Sequence, residues 1–508
     1  MKKIGCLLVA VLMAASLLTA CASQTSNSPD SPSSTSPSPS APPSGSGEEA
    51  AAPLFGTPED PVVVTYLCKD LSPTDEDVIA YCEKLYENMS KQGMYIKLEI
   101  LEAPAGTYGE VVPLTVRTGQ IAPDIIYFQG GDLAVSQEGL LEDLRPYVES
   151  STYVKELMQG FTATRLQNYP YLLYLNDISV KTPVIRGDIL EKLQSADALI
   201  ADPTIENYYN FMKEIVEGGY SKYALTMDGS FARLDSLFNH AFGVTSTIMK
   251  VDGKWVYGKT TEFEKNKLEF YAKLYAEGIL DPEYITKGWE EMEQSFYTGE
   301  TSMILGTCGA VIDVYNTKIT AEQGEAAQLV ALPPAKGVTQ SFEAIDVSKE
   351  TRGRSIYANS PNKDAAWAVM EYMASPEGRV LDLLGVEGIH YNVEDGKIVR
   401  TDKAGGWWSR FFGTSYNFDP NPPLATPLMS EPALDTLALA QQYASDDINI
   451  IVPNELAANW DAMNSLYNDF AADVIRGNRP ISDFDSFVQE WNAASGDAFS
   501  EYLAGVLG

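Results

Sequence analysis

Between residues 62 and 128 the hydrophobic pattern changes period four times. Val62 to Leu67 is a short, β-branched, nearly continuous apolar run, the pattern of a buried strand. Thr74 with Asp77 three residues on predicts a capping box. Val78, Ile79, Cys82, Leu85, Tyr86 and Met89 then recur at helical spacing, and Gly93 predicts the stop. Residues 95–100 alternate cleanly as a second strand, and Pro123-Asp124 opens a third at 125–128. Strand–helix–strand units of this length predict parallel pairing with right-handed crossovers. Ligands of open sheets bind at the carboxyl ends of strands. Those ends are the loops 68–72, 101–108 and 129–132.

Downstream, 172–186 is apolar and extended, and Pro183 limits it to strand or coil. Helical spacing resumes at Asp188, and Pro203-Thr204 opens a further helix through Val216. Asp252-Gly253 centres a hairpin over 251–257, and Asp395-Gly396 another at 394–397. Helices are predicted over 268–277, closed by Gly278, over 365–374, and from Ala457 onward with a break at 477–480. A strand at 302–305 runs into the loop 306–310, and no internal repeat is visible.

The first 57 residues follow different rules. Lys2 and Lys3 precede an apolar run, 4–18, that is short for a membrane-spanning helix. Leu18-Thr19-Ala20-Cys21 resembles the lipobox of bacterial lipoproteins. That resemblance implies a signal peptide over 1–20, cleavage before Cys21 and acylation of Cys21, hence a lipid anchor on the extracellular face of a Gram-positive cell membrane. An ordinary secretory signal with an incidental Cys21 is the alternative. Residues 22–53 are rich in Ser, Pro, Gly and Thr and hold no Lys, Arg or aromatic residue. Such a stretch buries too little apolar area to offset its chain entropy, so 21–57 is expected to be a disordered tether.

Charge narrows the function classes. With 70 acidic against 36 basic residues the formal charge is −34. So acidic a chain lacks the basic footprint that nucleic acid or an anionic membrane surface requires. Of five cysteines, Cys6 lies in the signal and Cys21 in the lipobox, which leaves Cys68, Cys82 and Cys308. No CxxC pattern occurs; Cys82 reads as core filler, and a Cys68–Cys82 bridge stays open. With two histidines in the chain, no metal site and no cofactor are expected.

Several ordered motifs resemble the family 1, carbohydrate-type extracellular solute-binding proteins of ABC importers, in their large Gram-positive lipoprotein branch. The stretch Ala122 to Phe128 followed by Gly139 to Leu144 is similar to the family's "PDI…GLL..L" pattern. Ile185 to Leu190, Asp202-Pro203-Thr204, Phe296 to Met303, Ser360 to Ala366, Gly385 to Tyr391 and Pro480 to Phe484 match further motifs in order. The resemblance implies an α/β, two-lobed periplasmic-binding-protein-like fold of class II, with a hinge and an interlobe cleft. Lobe 1 is expected at 58–176 plus 345–385, and lobe 2 at 184–338 plus 386–508. It also implies a monomer that captures a sugar or oligosaccharide and delivers it to the transmembrane subunits of an ABC permease. The loop 306–310 has no counterpart of the tryptophan that many members stack on sugar there.

Sugars present hydroxyls and apolar C–H faces, so a site for them needs aromatic platforms and fixed polar groups. Asp70, Gln129 and Asp132 lie at predicted strand ends; loop caps are their alternative role. Tyr174, Asn176 and Asp177 fall at the first expected hinge crossing, near the cleft floor, with a structural hinge role equally open. Asp228 and Phe231 occupy a segment that bears a sugar-contacting aromatic in a family member. Trp289 stands in a polar loop, and Trp407-Trp408 follow Gly405-Gly406; adjacent residues of an extended segment face opposite ways, so one of that pair at most lines a cleft. Arg186 has the chemistry to hold a carboxylate, against the alternative of pairing with a surplus acid. Two other function classes remain: a surface carbohydrate-active enzyme, for which no GxSxG or HExxH motif is present, and a ligand sensor of the same fold.

Overall fold

Strand propensity and the two hairpin turns place eleven strands among the described residues. They are β1 (Val62–Leu67), β2 (Ile96–Leu101), β3 (Ile125–Gln129), β4 (Lys181–Arg186), β5 (Ile248–Val251), β6 (Lys254–Tyr257), β7 (Met303–Thr307), β8 (Leu329–Ala331), β9 (Arg352–Ile356), β10 (Tyr391–Glu394) and β11 (Lys397–Arg400). The structure is a computed structural model that describes residues 54–508 apart from Asn449 and Pro453. The expected signal peptide, Cys21 and most of the tether lie outside the described residues.

One lobe is built on the sheet β2-β1-β3-β9, the other on β7-β4-β8. In the first sheet β1 pairs parallel with β2 and β3, as the crossover spacing predicts, and β9 closes the edge antiparallel to β3. Helix Glu76–Ser90 links β1 to β2 and buries Val78, Tyr81, Leu85 and Met89 against the sheet. Its cap is Asp75, whose carboxylate accepts from the amides of Asp77 and Val78, rather than the expected Thr74. Both hairpins form on turns whose central residues have positive φ, Asp252 and Gly253 at 48° and 79°, Asp395 and Gly396 at 49° and 73°. In the second sheet β4 is central and antiparallel to both neighbours; Pro183 lies within it opposite Leu305.

Cores flank both sheets. The first packs Tyr66, Tyr81, Leu98 and Met370; the second packs Tyr208, Phe211, Phe238 and Tyr271 with Tyr467, Phe487 and Trp491 of the C-terminal helices. The lobe boundary differs from the expected one. Val386, Trp407, Phe411 and Phe412 belong to the first core, so the chain after 385 stays on the first lobe instead of joining the second. It leaves only near Met429, which packs on the second lobe.

The lobes meet through several chain crossings. Ile178 and Val180 of one crossing pack with Phe342, Ile345 and Val347 of another around a small shared core. Asp177 ties a further segment in: its carboxylate accepts from Thr414 Oγ1 at 3.0 Å, from the amides of Ser415 and Tyr416 at 3.1 and 2.8 Å, and from Ser415 Oγ. Glu343 sits in the same crossing region. Burial pushes its carboxyl up to about 7, with Asp235 adding to the rise and Lys181 and Lys259 partly opposing it. A raised folded value means that its stabilising effect is complete below the unfolded carboxyl value of about 4.3 and is lost as pH rises through about 7. Glu343→Gln should therefore flatten the stability profile between about pH 4 and 7, the interval between those two values, measured by urea unfolding at each pH; an unchanged profile would remove Glu343 as its source.

Candidate functional site

The carboxyl ends of β1, β2 and β3 open into two adjoining recesses of about 390 and 640 Å3. They share Lys69, Asp70 and Gln129. The first is walled by Tyr127, Tyr174, Asn176, Arg352, Arg354, Trp408 and Phe411; the second continues past Pro104, Thr107 and Tyr108. A more apolar recess of about 600 Å3 lies at the opposite end of the same sheet, beside Phe55, Met94 and Trp367. The strand carboxyl ends are the ligand-binding end of parallel sheets, so the first two recesses are the candidate site.

Local backbone shape explains how the cleft stays open. Asp70 turns the chain after β1 at φ 61°, a conformation Asp tolerates better than most residues. Gly131, at φ 73°, lets the loop after β3 press onto helix Tyr108–Arg117; a Cβ there would lie 2.8 Å from the Gly109 carbonyl. The cleft face itself follows from strand register. Tyr127 opposes Arg354 and Gln129 opposes Arg352, so the four side chains share one face of the β3–β9 pair. Arg354 is 5 % exposed. Its Nε donates to Tyr66 Oη at 3.0 Å, and its guanidinium carbon lies 4.9–5.5 Å from the ring centres of Tyr127, Phe411 and Phe412.

The fourth wall is the segment 408–413, held from beneath by Asp382. That buried carboxylate accepts from the amides of Arg410, Phe411 and Gly413 at 2.8, 2.6 and 2.8 Å. Trp408 is left 44 % exposed on the cleft, with the Arg410 guanidinium 3.9 Å from its ring centre.

Asp70, Gln129, Tyr174 and Trp408 are thus brought to one cavity. The other sequence candidates lie outside this cavity, each with its own partners; for Asp177 and Arg186 these are the alternative roles the sequence left open. Asp132 is fully buried and takes Lys349 Nζ at 3.0 and 2.8 Å, so its carboxylate fastens a crossing segment. Asp177 is the crossing hub described above. Asp228 pairs in two-pronged fashion with Arg233 at 2.8 and 2.6 Å, and Phe231 packs in the second core against Tyr271 and Tyr467. Trp289 is 52 % exposed on the second lobe and donates to Tyr315 Oη at 3.3 Å. Trp407 is buried and donates to the Asp382 carbonyl at 2.9 Å. Arg186 is held by Asp188 at 3.0 and 2.9 Å.

The residues missed by sequence reasoning are Tyr127, Arg352, Arg354, Ser409, Phe411 and Phe412. Arg352 and Arg354 at alternate positions of an extended run did carry a signal, a shared face, but nothing local tied that face to β3.

Reactive chemistry is sparse here. Burial pushes the thiol of Cys68, which lines the cleft, above its ordinary value, and drives Cys82 to about 12 and Cys308 to about 11. All three thiols are free. Among the described residues no cluster of three or more metal-ligating side chains occurs, and no helix is long and apolar enough to cross a membrane. What the cleft offers is aromatic faces, fixed donors and one exposed carboxylate, a surface suited to binding a polyhydroxylated molecule.

The sequence pattern of the bacterial extracellular solute-binding proteins matches residues 77–380, more than half of the chain. No curated sequence matches it. Among solved structures, an HMO-binding, ABC-transporter-associated solute-binding protein from Bifidobacterium longum infantis is similar at TM-score 0.62 and 16 % identity, over 87 % of this chain and 97 % of that one. An N-glycan transport solute-binding protein from Streptococcus pneumoniae gives 0.59 and 14 %, over 88 % and 99 %. The sugar-binding protein MalE from Xanthomonas citri gives 0.55 and 17 %, over 87 % and 98 %. At these identities the likeness establishes the fold, two α/β lobes about a cleft.

Proposed function

This chain belongs to the family of bacterial extracellular solute-binding proteins, and from that premise we propose that it captures a sugar or oligosaccharide in the first-lobe cleft and delivers it to an ABC permease. The observation that carries the reading is the composition of the cleft: Trp408, Tyr127 and Tyr174 supply flat apolar faces beside Asp70, Gln129 and Asn176. Structural neighbours that bind glycans support the same ligand class. Lobe closure about the crossings is the step that would present a new surface to the permease. Anchoring through Cys21 on the outer face of the membrane belongs to the same proposal, and the lipobox supports it. Asp70, Gln129, Tyr174 and Trp408 are the proposed ligand contacts on the first lobe.

Trp408→Ala tests the site. The ring is exposed, so its loss should leave unfolding unchanged. Saccharide affinity should fall by about 1–3 kcal/mol, roughly five- to 150-fold, by loss of an aromatic stacking face. Titration calorimetry on the variant reads both the affinity and the stoichiometry. Unchanged affinity would move the site away from this wall.

A further inference from the structure

The cleft carries the opposite charge to the protein around it. In a chain of formal charge −34, its first recess is lined by Lys69, Arg352 and Arg354 against a single carboxylate, Asp70. The surplus of acids pairs most other sheltered cations. Lys267 meets Asp235 and Glu264, Arg233 meets Asp228, Lys287 meets Asp281, Lys349 meets Asp132 and Arg186 meets Asp188.

Arg354 is not paired in this way; the buried Arg379 and Arg410 are not either, but of the three it is Arg354 that lines the recess. Among the described residues it has no carboxylate partner, and Nε to Tyr66 Oη is its one side-chain hydrogen bond. Its two terminal nitrogens, which no protein acceptor engages, belong to a side chain lining the cavity. Burying a guanidinium without a counter-ion is unfavourable by several kcal/mol, of which the three aromatic faces return only a part. Ser409 Oγ, on the same wall, is likewise buried without a partner. Arg352 stands two residues away on the same face, 5.3 Å from the Tyr174 ring centre, with its nearest acid, Glu350, at 3.9 Å. A planar, two-pronged donor left open in this way matches a carboxylate, whose two oxygens it can bind in parallel.

We propose that the solute is an acidic saccharide, a uronic-acid-containing oligomer, whose carboxylate is gripped by Arg354 with Arg352 beside it. The inference rests on the saccharide-binding reading above and adds the ligand's charge to it. Asp70, at the far side of the recess, then accepts from sugar hydroxyls, and the aromatic rings pack on the C–H faces.

The test uses the full chain and two probes: a pool of oligouronides from partial digests of pectate and alginate, and the same pool with its carboxyls chemically reduced to neutral alcohols. Melting temperature and calorimetric affinity are measured with each. The expected result is a stabilising shift with the native pool, an affinity at least about tenfold weaker for the reduced pool, and weakening of the native pool that grows with salt. Arg354→Met should abolish the preference. Because that side chain is buried and the variant could misfold, Arg352→Gln, at a position 42 % exposed, provides the second arm. It should melt like the parent and bind the oligouronide pool at least about tenfold more weakly. Equal shifts with the native and reduced pools would overturn the acidic-ligand inference and leave the saccharide reading standing. No shift with either pool would also overturn the acidic-ligand inference, and a broader panel of neutral oligosaccharides that likewise gives no shift would overturn the saccharide reading as well.

Discussion

Lys267→Met should destabilise the protein by roughly 3–5 kcal/mol, the loss expected when one member of a buried charge cluster is removed and the others stay behind. Lys267 is completely buried in the second lobe, with Nζ 2.6 Å from Asp235 Oδ1 and 2.9 Å from Glu264 Oε2. Tyr271 donates to Asp235 at 3.1 Å, and Tyr467 donates to Glu264. Even with Lys267 present, burial holds the Glu264 carboxyl above its ordinary range, Asp235 adding to the rise. Methionine keeps most of the volume and removes the cation, so both acids must be protonated or stay charged in an apolar core. Carboxyls raised in the folded state stabilise it below the unfolded values of about 4 and lose that contribution as pH rises. The deficit of the variant should accordingly be larger at pH 8 than at pH 5, and Asp235→Asn with Glu264→Gln in the same chain should recover most of it. Urea midpoints across that range decide the matter. A deficit independent of pH would mean that lost packing, not unpaired charge, is the cause.

Asp382→Ala is the second large effect, and it links fold to site. Three amides, those of Arg410, Phe411 and Gly413, converge on this carboxylate, which is 2 % exposed. Removing it leaves sheltered donors without an acceptor, each at about 1–3 kcal/mol, so a total of roughly 3–5 kcal/mol is expected once part of the segment relaxes toward water. The segment it releases is the wall carrying Trp408, Ser409, Phe411 and Phe412. Ligand affinity should therefore fall together with stability, whereas Trp408→Ala should lower affinity alone. Asp382→Asn retains one acceptor oxygen and should fall between parent and alanine in both measurements. A variant that loses stability and binds normally would show that this wall does not touch the ligand.

What was legible in the sequence was what local chemistry decides. The periods of 62–67, 95–100 and 125–128 gave three strands in the right order, and the Asp-Gly pairs marked the turn of both hairpins, the first of which begins three residues earlier than expected. Their loops at the carboxyl ends became the cleft because parallel topology follows from crossover length. What was illegible depends on distant returns of the chain. β9 reaches β3 from more than two hundred residues downstream, so nothing near Arg352 or Arg354 marked them as neighbours of Tyr127 and Gln129. Asp132 looked like a free carboxylate because its partner, Lys349, is 217 residues away. Asp228 was different: Arg233 is only five residues on, and the pair was readable in principle. The return of 386–412 to the first lobe also had no local signal, since Trp407 and Phe411 would fit either core. Of the Trp407-Trp408 pair, Trp408 lines the recess and Trp407 is buried.

The central claim is reversible capture of a saccharide in the first-lobe cleft. Its most direct test is calorimetric titration of the full chain with a panel of neutral and acidic oligosaccharides, followed by chemical analysis of the recovered ligand. One saccharide class should bind, stabilise the fold by about 2.7 kcal/mol at a hundred times its dissociation constant, and be recovered unchanged. A saccharide recovered cleaved, or a panel in which none binds, would contradict the account.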